Sequence, residues 1–212
     1  IQFKSSFGFV KKLNEYLAHI ENHYFSPEIL MVKRYPIPAD YIGERFRKWH
    51  RVPLFLRFNK VVEDIERDLL FYNNYEISGK ERNEMRKSVK NMFRMTNLRA
   101  LYKDFYDWLS HPEMLKMAPR SAYEYSDVFP LIYLKIKLEG AKTFPGVKHL
   151  LVDEMQDYTP VQYAVLARLF PCKKTILGDA SQSVNTFSSS SSEEIARVFP
   201  GADVMKLNKS YR

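Results

Sequence analysis

The stretch at residues 147–157 constrains the fold of this chain more than any other. It reads Val-Lys-His-Leu-Leu-Val-Asp-Glu-Met-Gln-Asp, so an apolar run leads directly into the carboxylates of Asp153 and Glu154. A short apolar run that ends in charge is typical of a buried strand of a parallel sheet. Ligands of open α/β sheets bind at the carboxyl ends of the strands, so these two carboxylates are predicted to lie at a ligand-binding edge.

Two adjacent carboxylates at such an edge suit a site for a magnesium-bound nucleotide. One can hold the metal, directly or through water, and the other can take a proton from an attacking water. For an isolated Asp-Glu pair, the simpler interpretation is a strand that ends in solvent. Here the pair lies within the pattern Asp-Glu-x-Gln-Asp, and a second strand-to-loop pattern follows at residues 174–182. The two patterns together favour the nucleotide site.

Three motifs in order resemble those of the UvrD/Rep-type superfamily 1 helicases. Residues 152–157 (Val-Asp-Glu-Met-Gln-Asp) resemble motif II, residues 177–184 (Leu-Gly-Asp-Ala-Ser-Gln-Ser-Val) resemble motif III, and residues 207–212 (Leu-Asn-Lys-Ser-Tyr-Arg) resemble the start of motif IV. The resemblance implies an α/β fold that contains part of a RecA-like P-loop NTPase domain with a parallel sheet. It also implies ATP and Mg²⁺ as ligands.

The resemblance assigns roles to individual residues. Asp153 would hold Mg²⁺, and Glu154 would be the general base that activates water. Gln182 and Arg212 would sense the γ-phosphate. The remaining motif residues would line the nucleotide site and couple it to its surroundings: Gln156, Asp157, Asp179 and Tyr211.

Phe187 matches an aromatic side chain that stacks on a nucleic-acid base in many relatives. Such stacking contributes roughly 1–3 kcal/mol per base. Two departures from the family pattern weaken this assignment, because Asn185 stands where relatives have Tyr and Ser188 where many have Arg. The partner that the resemblance implies is DNA, either single-stranded or at a duplex junction.

The function that the resemblance implies is a DNA helicase or translocase that couples ATP hydrolysis to movement on nucleic acid. Residues 126–139 and 163–171 are similar to segments of the HelD-like branch, whose members bind bacterial RNA polymerase. An ATPase that binds and remodels or recycles RNA polymerase is therefore one alternative. A non-catalytic interaction module with a decayed ATP site is another, against which the intact Asp153, Glu154 and Gln182 argue.

A phosphate-binding loop of the type Gly-x-x-x-x-Gly-Lys-Ser/Thr is missing from the sequence, because none of the seven glycines fits it. Backbone N–H groups and the lysine of that loop normally hold the phosphates. The chain reads as an excised piece of a longer protein that carries the water-activating half of an ATP site. We expect the parent protein to be an ATP hydrolase and this chain by itself to hydrolyse no ATP.

Two domains are predicted, a mainly helical insertion domain over residues 1–122 and the later part of the RecA-like domain over residues 123–212. Residues 1–120 hold 22 Lys and Arg against 15 Asp and Glu, whereas residues 121–212 hold 11 against 10. The basic excess, which favours an acidic partner such as nucleic acid, therefore lies in the first part. A basic helix is predicted at residues 79–95, and two interpretations of it stay open. Its cations would contact phosphates or an acidic protein surface, or they would form a solvated helix face, which the presence of Glu81 and Glu84 favours.

Apolar periodicity predicts the remaining elements. A short strand is predicted at residues 29–35, broken by Pro36 and Pro38, and Asp40 is predicted to cap the following helix. Strands of the parallel sheet are predicted near residues 148–152, 174–178 and 203–207. Helices are predicted at residues 5–24, 41–49, 53–72, 79–95, 98–109, 126–139, 160–170 and 193–198.

The single cysteine, Cys172, excludes a disulfide framework within the chain and a cysteine metal site. No run of 18 apolar residues is present, so no membrane span is predicted. No signal peptide is visible. These features together favour a cytoplasmic protein.

Overall fold

The computed structural model of the chain describes residues 3–118, 122–179 and 192–206. The chain divides into two compact units, and both are discontinuous. The sheet unit comprises Ile1–Lys12, Met117–Tyr133 and Ala141–Arg212, and the helical unit comprises Leu13–Lys116 and Leu134–Gly140. This division differs from the single boundary after residue 122 that the sequence predicts, because two helices contribute residues to both units. The identities of the two domains stay predictions.

The described residues contain eight α-helices and six short strands. The helices are α1 (Phe7–His23), α2 (Ala39–Lys48), α3 (Arg57–Asn73), α4 (Gly79–Asn91), α5 (Leu98–Trp108), α6 (Tyr125–Glu139), α7 (Pro160–Leu169) and α8 (Ser192–Val198). The strands are β1 (Leu30–Val32), β2 (Tyr35–Ile37), β3 (Met117–Ala118), β4 (Ala122–Tyr123), β5 (His149–Val152) and β6 (Lys173–Ile176). All eight predicted helices are confirmed, with ends shifted by a few residues.

The helical unit has an aromatic core. The fully buried side chains on α1 and α5 include Tyr16, Ile20, Tyr102 and Phe105. The Tyr16 hydroxyl lies 2.7 Å from Asp104 Oδ2 and donates a hydrogen bond to it. Burial and this hydrogen bond raise the pKa of Tyr16 far above its usual value, so the hydroxyl stays protonated and the polar contact inside the core is kept.

A buried arginine ties three segments of the helical unit together. Arg57, at the start of α3, is 4% exposed. Its guanidinium donates to both carboxylate oxygens of Glu21 on α1, at 2.6 and 3.3 Å. It also donates to the carbonyl oxygens of His50 and Val52, at 2.7 and 2.8 Å. A planar fork of donors is needed for this set of acceptors, which favours Arg over Lys.

Two predictions for residues 29–40 of the helical unit were wrong. Pro36 does not break the predicted strand but pairs with Met31 in the antiparallel hairpin of β1 and β2. Proline is tolerated in a short edge strand because its missing N–H is not needed there. Asp40 does not cap α2, whose N-cap is Pro38 without a side-chain hydrogen bond; Asp40 lies in the first turn instead. There its charge still faces the positive end of the helix dipole.

The sheet unit contains the parallel pair β5 and β6, joined by α7. The register pairs His149 with Lys173 and Val152 with Ile176. Strand β5 is confirmed as a strand, but it is not buried throughout, since Leu151 is 63% exposed. The third predicted strand was wrong for residues 203–206, which have no regular secondary structure, and residue 207 lies outside the described part. The described residues thus show a mixed, mostly helical fold with a small parallel sheet.

A small apolar core holds the sheet unit together. Val152, Tyr163 and Ile195 are its buried residues, and Leu150 and Ile176 pack against it. Helix α7 begins at a capping box, because Thr159 accepts a hydrogen bond from the backbone of Gln162 and the Gln162 side chain accepts one from the backbone of Thr159. The box fixes the start of α7 directly after the acidic motif. None of the described helices is long and apolar enough to cross a membrane.

Candidate functional site

The backbone turns sharply where β5 ends. Glu154 has the left-handed conformation, with φ 52° and ψ 55°, and it precedes a 3₁₀ turn at Met155–Asp157. This conformation costs a residue with a side chain roughly 1–2 kcal/mol. Two local hydrogen bonds support it: the Glu154 N–H donates to Asp153 Oδ1 at 2.9 Å, and the Asp157 N–H donates to the Glu154 carbonyl oxygen at 2.9 Å. Strain of this kind is concentrated at functional sites.

Met155 is the point at which this turn is fixed to its neighbours. Its N–H donates to the Leu177 carbonyl oxygen at 2.8 Å, and the Leu177 N–H donates to the Val152 carbonyl oxygen at 2.8 Å. These two bonds continue the β5–β6 pairing beyond the strand ends. On the other side, the Tyr163 hydroxyl of α7 donates to the Met155 carbonyl oxygen at 2.9 Å, and burial raises the pKa of Tyr163. Both polar groups of the Met155 backbone are therefore satisfied by tertiary contacts.

The side chain of Gln156 connects the two predicted motifs. It is buried, with 4% exposed. Its Nε2 donates to Glu154 Oε2 at 2.6 Å, and its Oε1 accepts a hydrogen bond from the Asp179 N–H at 3.3 Å. One buried amide thus contacts the carboxylate after β5 and the backbone after β6. A buried amide with both ends bonded has little freedom to reorient.

Gly178 allows the two loops to approach this closely. A Cβ added at this position would lie 2.5 Å from the Met155 nitrogen and 2.6 Å from Gln156 Oε1. Both distances are far below ordinary van der Waals contact, and the first neighbour is backbone. The glycine before Asp179 is therefore required by packing, which gives a physical reason for Gly at this place in the motif.

The structure brings part of the predicted site together. The four carboxylates of the predicted site are exposed: Asp153, Glu154, Asp157 and Asp179. Gln156 is the buried member of the set. Four predicted residues lie outside the described part of the chain and are not placed: Gln182, Phe187, Tyr211 and Arg212.

Sequence reasoning missed one supporting residue, Tyr163, and gave no separate role to another, Gly178, although Gly178 lies in the stretch that resembles motif III. Tyr163 lies on the buried face of α7 and resembles an ordinary core residue in the sequence, so no signal marked its hydroxyl. Gly178 did carry a signal, because a glycine directly after a predicted strand often marks a close backbone approach.

The carboxylates after β5 fit Mg²⁺ in its usual mode. Magnesium is commonly held by one or two protein carboxylates together with substrate phosphates and water. Asp153 is exposed, and its only hydrogen bond from the described residues is the one to Oδ1. The described residues include no group of three or more His, Cys, Asp and Glu that could hold a metal ion. An exposed carboxylate such as that of Asp153 can be one protein ligand of a Mg²⁺ ion that is otherwise held by phosphates and water.

Comparison with known proteins places the chain in a family. The model of the UvrD/REP helicase N-terminal domain matches residues 58–199, which is more than half of the chain. The ATP-dependent DNA helicase UvrD2 of Mycobacterium bovis and that of Mycobacterium tuberculosis are each 37% identical to it over 67 residues, a segment that covers 29% of this chain and 10% of the relative. The chain thus spans a small part of these relatives. Residues 58–199, which the family model matches, include both the turn after β5 and the start of the loop after β6. The chain belongs to the UvrD/REP helicase N-terminal domain family.

Proposed function

We propose that this chain is the part of a superfamily 1 ATPase that activates water for ATP hydrolysis and couples it to movement on DNA. The observation that carries the proposal is the Gln156 amide, which joins Glu154 and the Asp179 backbone in one network. Such a network links the strand end that would hold a catalytic carboxylate to the loop that would sense its substrate. The related UvrD2 proteins are ATP-dependent DNA helicases by name.

Each carboxylate after β5 has a separate role in this proposal. Asp153, which is exposed, would hold Mg²⁺. When bound, Mg²⁺ neutralises charge on the phosphates. Glu154 accepts a proton from the attacking water. The two neighbouring carboxylates have different hydrogen-bond partners, since Asp153 accepts from the Glu154 N–H and Glu154 accepts from Gln156 Nε2.

Gln156 positions the general base. Its Nε2–H bond to Glu154 Oε2, at 2.6 Å, restricts the rotation of that carboxylate. The other carboxylate oxygen is then the one that can receive a proton. Because Gln156 also accepts from the Asp179 N–H, a shift of the loop after β6 is expected to alter the orientation of Glu154. Gln182, Arg212, Asp157, Tyr211 and Phe187 keep the roles predicted from the sequence.

The test is ATPase activity of the full-length parent protein. It is measured with and without single-stranded DNA, with and without RNA polymerase, and in the Glu154→Gln variant. Glu139→Gln is the matched control, because Glu139 is a helix-surface residue in an i,i+4 pair with Lys135. DNA-stimulated hydrolysis that is lost in Glu154→Gln and kept in Glu139→Gln is the expected result.

Two other outcomes would contradict the proposal. Stimulation by RNA polymerase but not by DNA would favour an ATPase that remodels or recycles polymerase. Hydrolysis that survives Glu154→Gln unchanged, or no hydrolysis under any condition, would refute the assigned roles and favour an interaction module with a decayed site.

A further inference from the structure

The turn that carries Glu154 is tied to a helix outside its own motif. Two side-chain contacts to Glu154 come from within the motif, one from the Asp153 carboxylate and one from the Gln156 amide. A third side-chain contact to the turn comes from α7, where the Tyr163 hydroxyl donates to the Met155 carbonyl oxygen at 2.9 Å. The orientation of the turn therefore depends in part on where α7 places one hydroxyl group.

The ring that carries this hydroxyl is fixed by packing. Tyr163 is fully buried, and it shares the apolar core of the sheet unit with Val152 of β5 and Ile195 of α8. The centre of its ring lies 5.6 Å from that of Tyr158 and 6.0 Å from that of Phe199. A close-packed ring with neighbours from several elements is held in one rotamer. Its hydroxyl therefore has one position relative to the turn.

The backbone of Tyr163 is fixed as well. Helix α7 starts at the capping box of Thr159 and Gln162. The Tyr163 N–H donates to the Thr159 carbonyl oxygen at 3.1 Å. Tyr163 thus lies in the turn of α7 that the capping box stabilises, and fraying of the helix start is not expected to move it.

The carbonyl group that Tyr163 holds leads directly into Gln156. It belongs to the peptide between Met155 and Gln156, and the Gln156 side chain donates to Glu154 Oε2 at 2.6 Å. The same carbonyl oxygen accepts a second, longer hydrogen bond from the Tyr158 N–H at 3.3 Å. A rotation of this peptide would move the Gln156 side chain, and the Glu154 carboxylate would lose its orienting partner.

These contacts form a short connection from the core of the sheet unit to one carboxylate. We propose that Tyr163 is a positioning residue for Glu154, which it orients through the peptide between Met155 and Gln156. Burial raises the pKa of Tyr163, so the hydroxyl remains a donor at the pH of an ATPase assay. The proposal rests on the proposed function, in which Glu154 is the general base.

The experiment compares two tyrosine-to-phenylalanine variants of the full-length parent protein. Tyr163→Phe keeps the ring in the core, and the Met155 carbonyl keeps the Tyr158 N–H as a donor. Tyr102→Phe is the matched control, because Tyr102 is also fully buried and its hydroxyl lies 2.9 Å from that of Tyr106 in the helical unit. ATP hydrolysis with single-stranded DNA and thermal unfolding are measured for both variants.

Tyr163→Phe is expected to lower kcat about 3- to 10-fold, which corresponds to the loss of one neutral hydrogen bond. The KM for ATP is expected to stay nearly constant, because the general base acts in the transition state. Tyr102→Phe is expected to lose a similar amount of thermal stability and to keep the wild-type kcat. In the Gln156→Leu background, the effect of Tyr163→Phe on kcat is expected to fall below about twofold, because the amide that transmits it is gone.

A wild-type kcat in Tyr163→Phe, in a protein whose hydrolysis is lost in Glu154→Gln, would overturn the inference and leave the proposed function intact. An equal fall of kcat in Tyr102→Phe would also overturn it, because lost stability would then explain the rate. So would an undiminished effect of Tyr163→Phe in the Gln156→Leu background, because the hydroxyl would then act by another route. Hydrolysis that survives Glu154→Gln is a different result, since it refutes the proposed function on which the inference rests.

Discussion

Gly178→Ala is the substitution that tests the geometry of the candidate site most directly. The added methyl carbon would lie 2.5 Å from the Met155 nitrogen, 2.6 Å from Gln156 Oε1 and 2.6 Å from Met155 Cγ. Ordinary contacts of a Cβ begin near 3.4 Å. The turn after β5 must therefore move by about 1 Å, and it cannot do so by a side-chain rotation alone because the nearest atom belongs to the backbone.

The size of the effect follows from what that movement disrupts. Overpacking of this kind costs typically about 1–3 kcal/mol. The displaced turn also weakens the Met155–Leu177 backbone hydrogen bond and the contact between Gln156 and Asp179, each of which contributes about 0.5–1.5 kcal/mol. We expect the free energy of unfolding to fall by roughly 2–4 kcal/mol in total.

Gly146→Ala is the control, because a Cβ at Gly146 meets no atom within 4 Å. Both variants are unfolded in urea and followed by circular dichroism. Hydrogen exchange of the peptide that contains Met155 gives a local measurement, and its amide is expected to exchange faster in Gly178→Ala only. A Gly178→Ala variant that matches Gly146→Ala within about 0.5 kcal/mol, with Met155 equally protected, would refute the close approach of the two loops.

Three further predictions concern other parts of the molecule. Arg57→Met is expected to lower the free energy of unfolding by about 2–4 kcal/mol in urea titrations, because it leaves Glu21 and two backbone carbonyls without their donor. Hydrogen bonds from the Ser78 side chain, then from Tyr75, lower the pKa of Glu81 from 4.5 to about 2. The stability that Glu81 contributes is therefore complete above pH 4.5 and is lost as the pH falls towards 2. The melting temperature of Glu81→Gln is expected to depend less on pH in that window than the melting temperature of the wild type. Gln156→Leu in the full-length parent is expected to lower kcat for ATP about 10- to 100-fold with KM nearly constant, because the general base loses its orienting partner.

The first two of these predictions have a comparison variant, and the third is tested by how kcat and KM change. Arg57→Lys keeps the charge but not the planar fork, and it is expected to recover only part of the loss; full recovery would show that charge alone matters. Glu84→Gln is the comparison for Glu81→Gln, because Glu84 lies on the exposed face of the same helix. Its melting temperature is expected to depend on pH as that of the wild type does. For Gln156→Leu, an equal rise of KM with unchanged kcat would mean that the residue affects nucleotide binding and not the base.

The sequence predicted the local features of this chain well. Most helices were predicted from the spacing of their apolar positions and the others from capping residues at their starts, and both signals belong to neighbouring residues. Strands β5 and β6 were found because an apolar run that stops at Asp153 or at Gly178 marks a strand end. Two strand predictions failed: Pro36 pairs with Met31 in an edge strand instead of breaking it, and residues 203–206 have no regular secondary structure.

The sequence by itself therefore determined the helices, the two parallel strands and the family of this protein. Only the tertiary structure decided which side chains act together, because their partners are far apart in the chain. Gln156 reaches Asp179 across 23 residues, and Arg57 reaches Glu21 across 36. Trp49 likewise donates a hydrogen bond to the buried Asp64 of the following helix, 15 residues away. Contacts of this range arise when elements pack, and no periodicity in the sequence records which face of one element will meet which face of another.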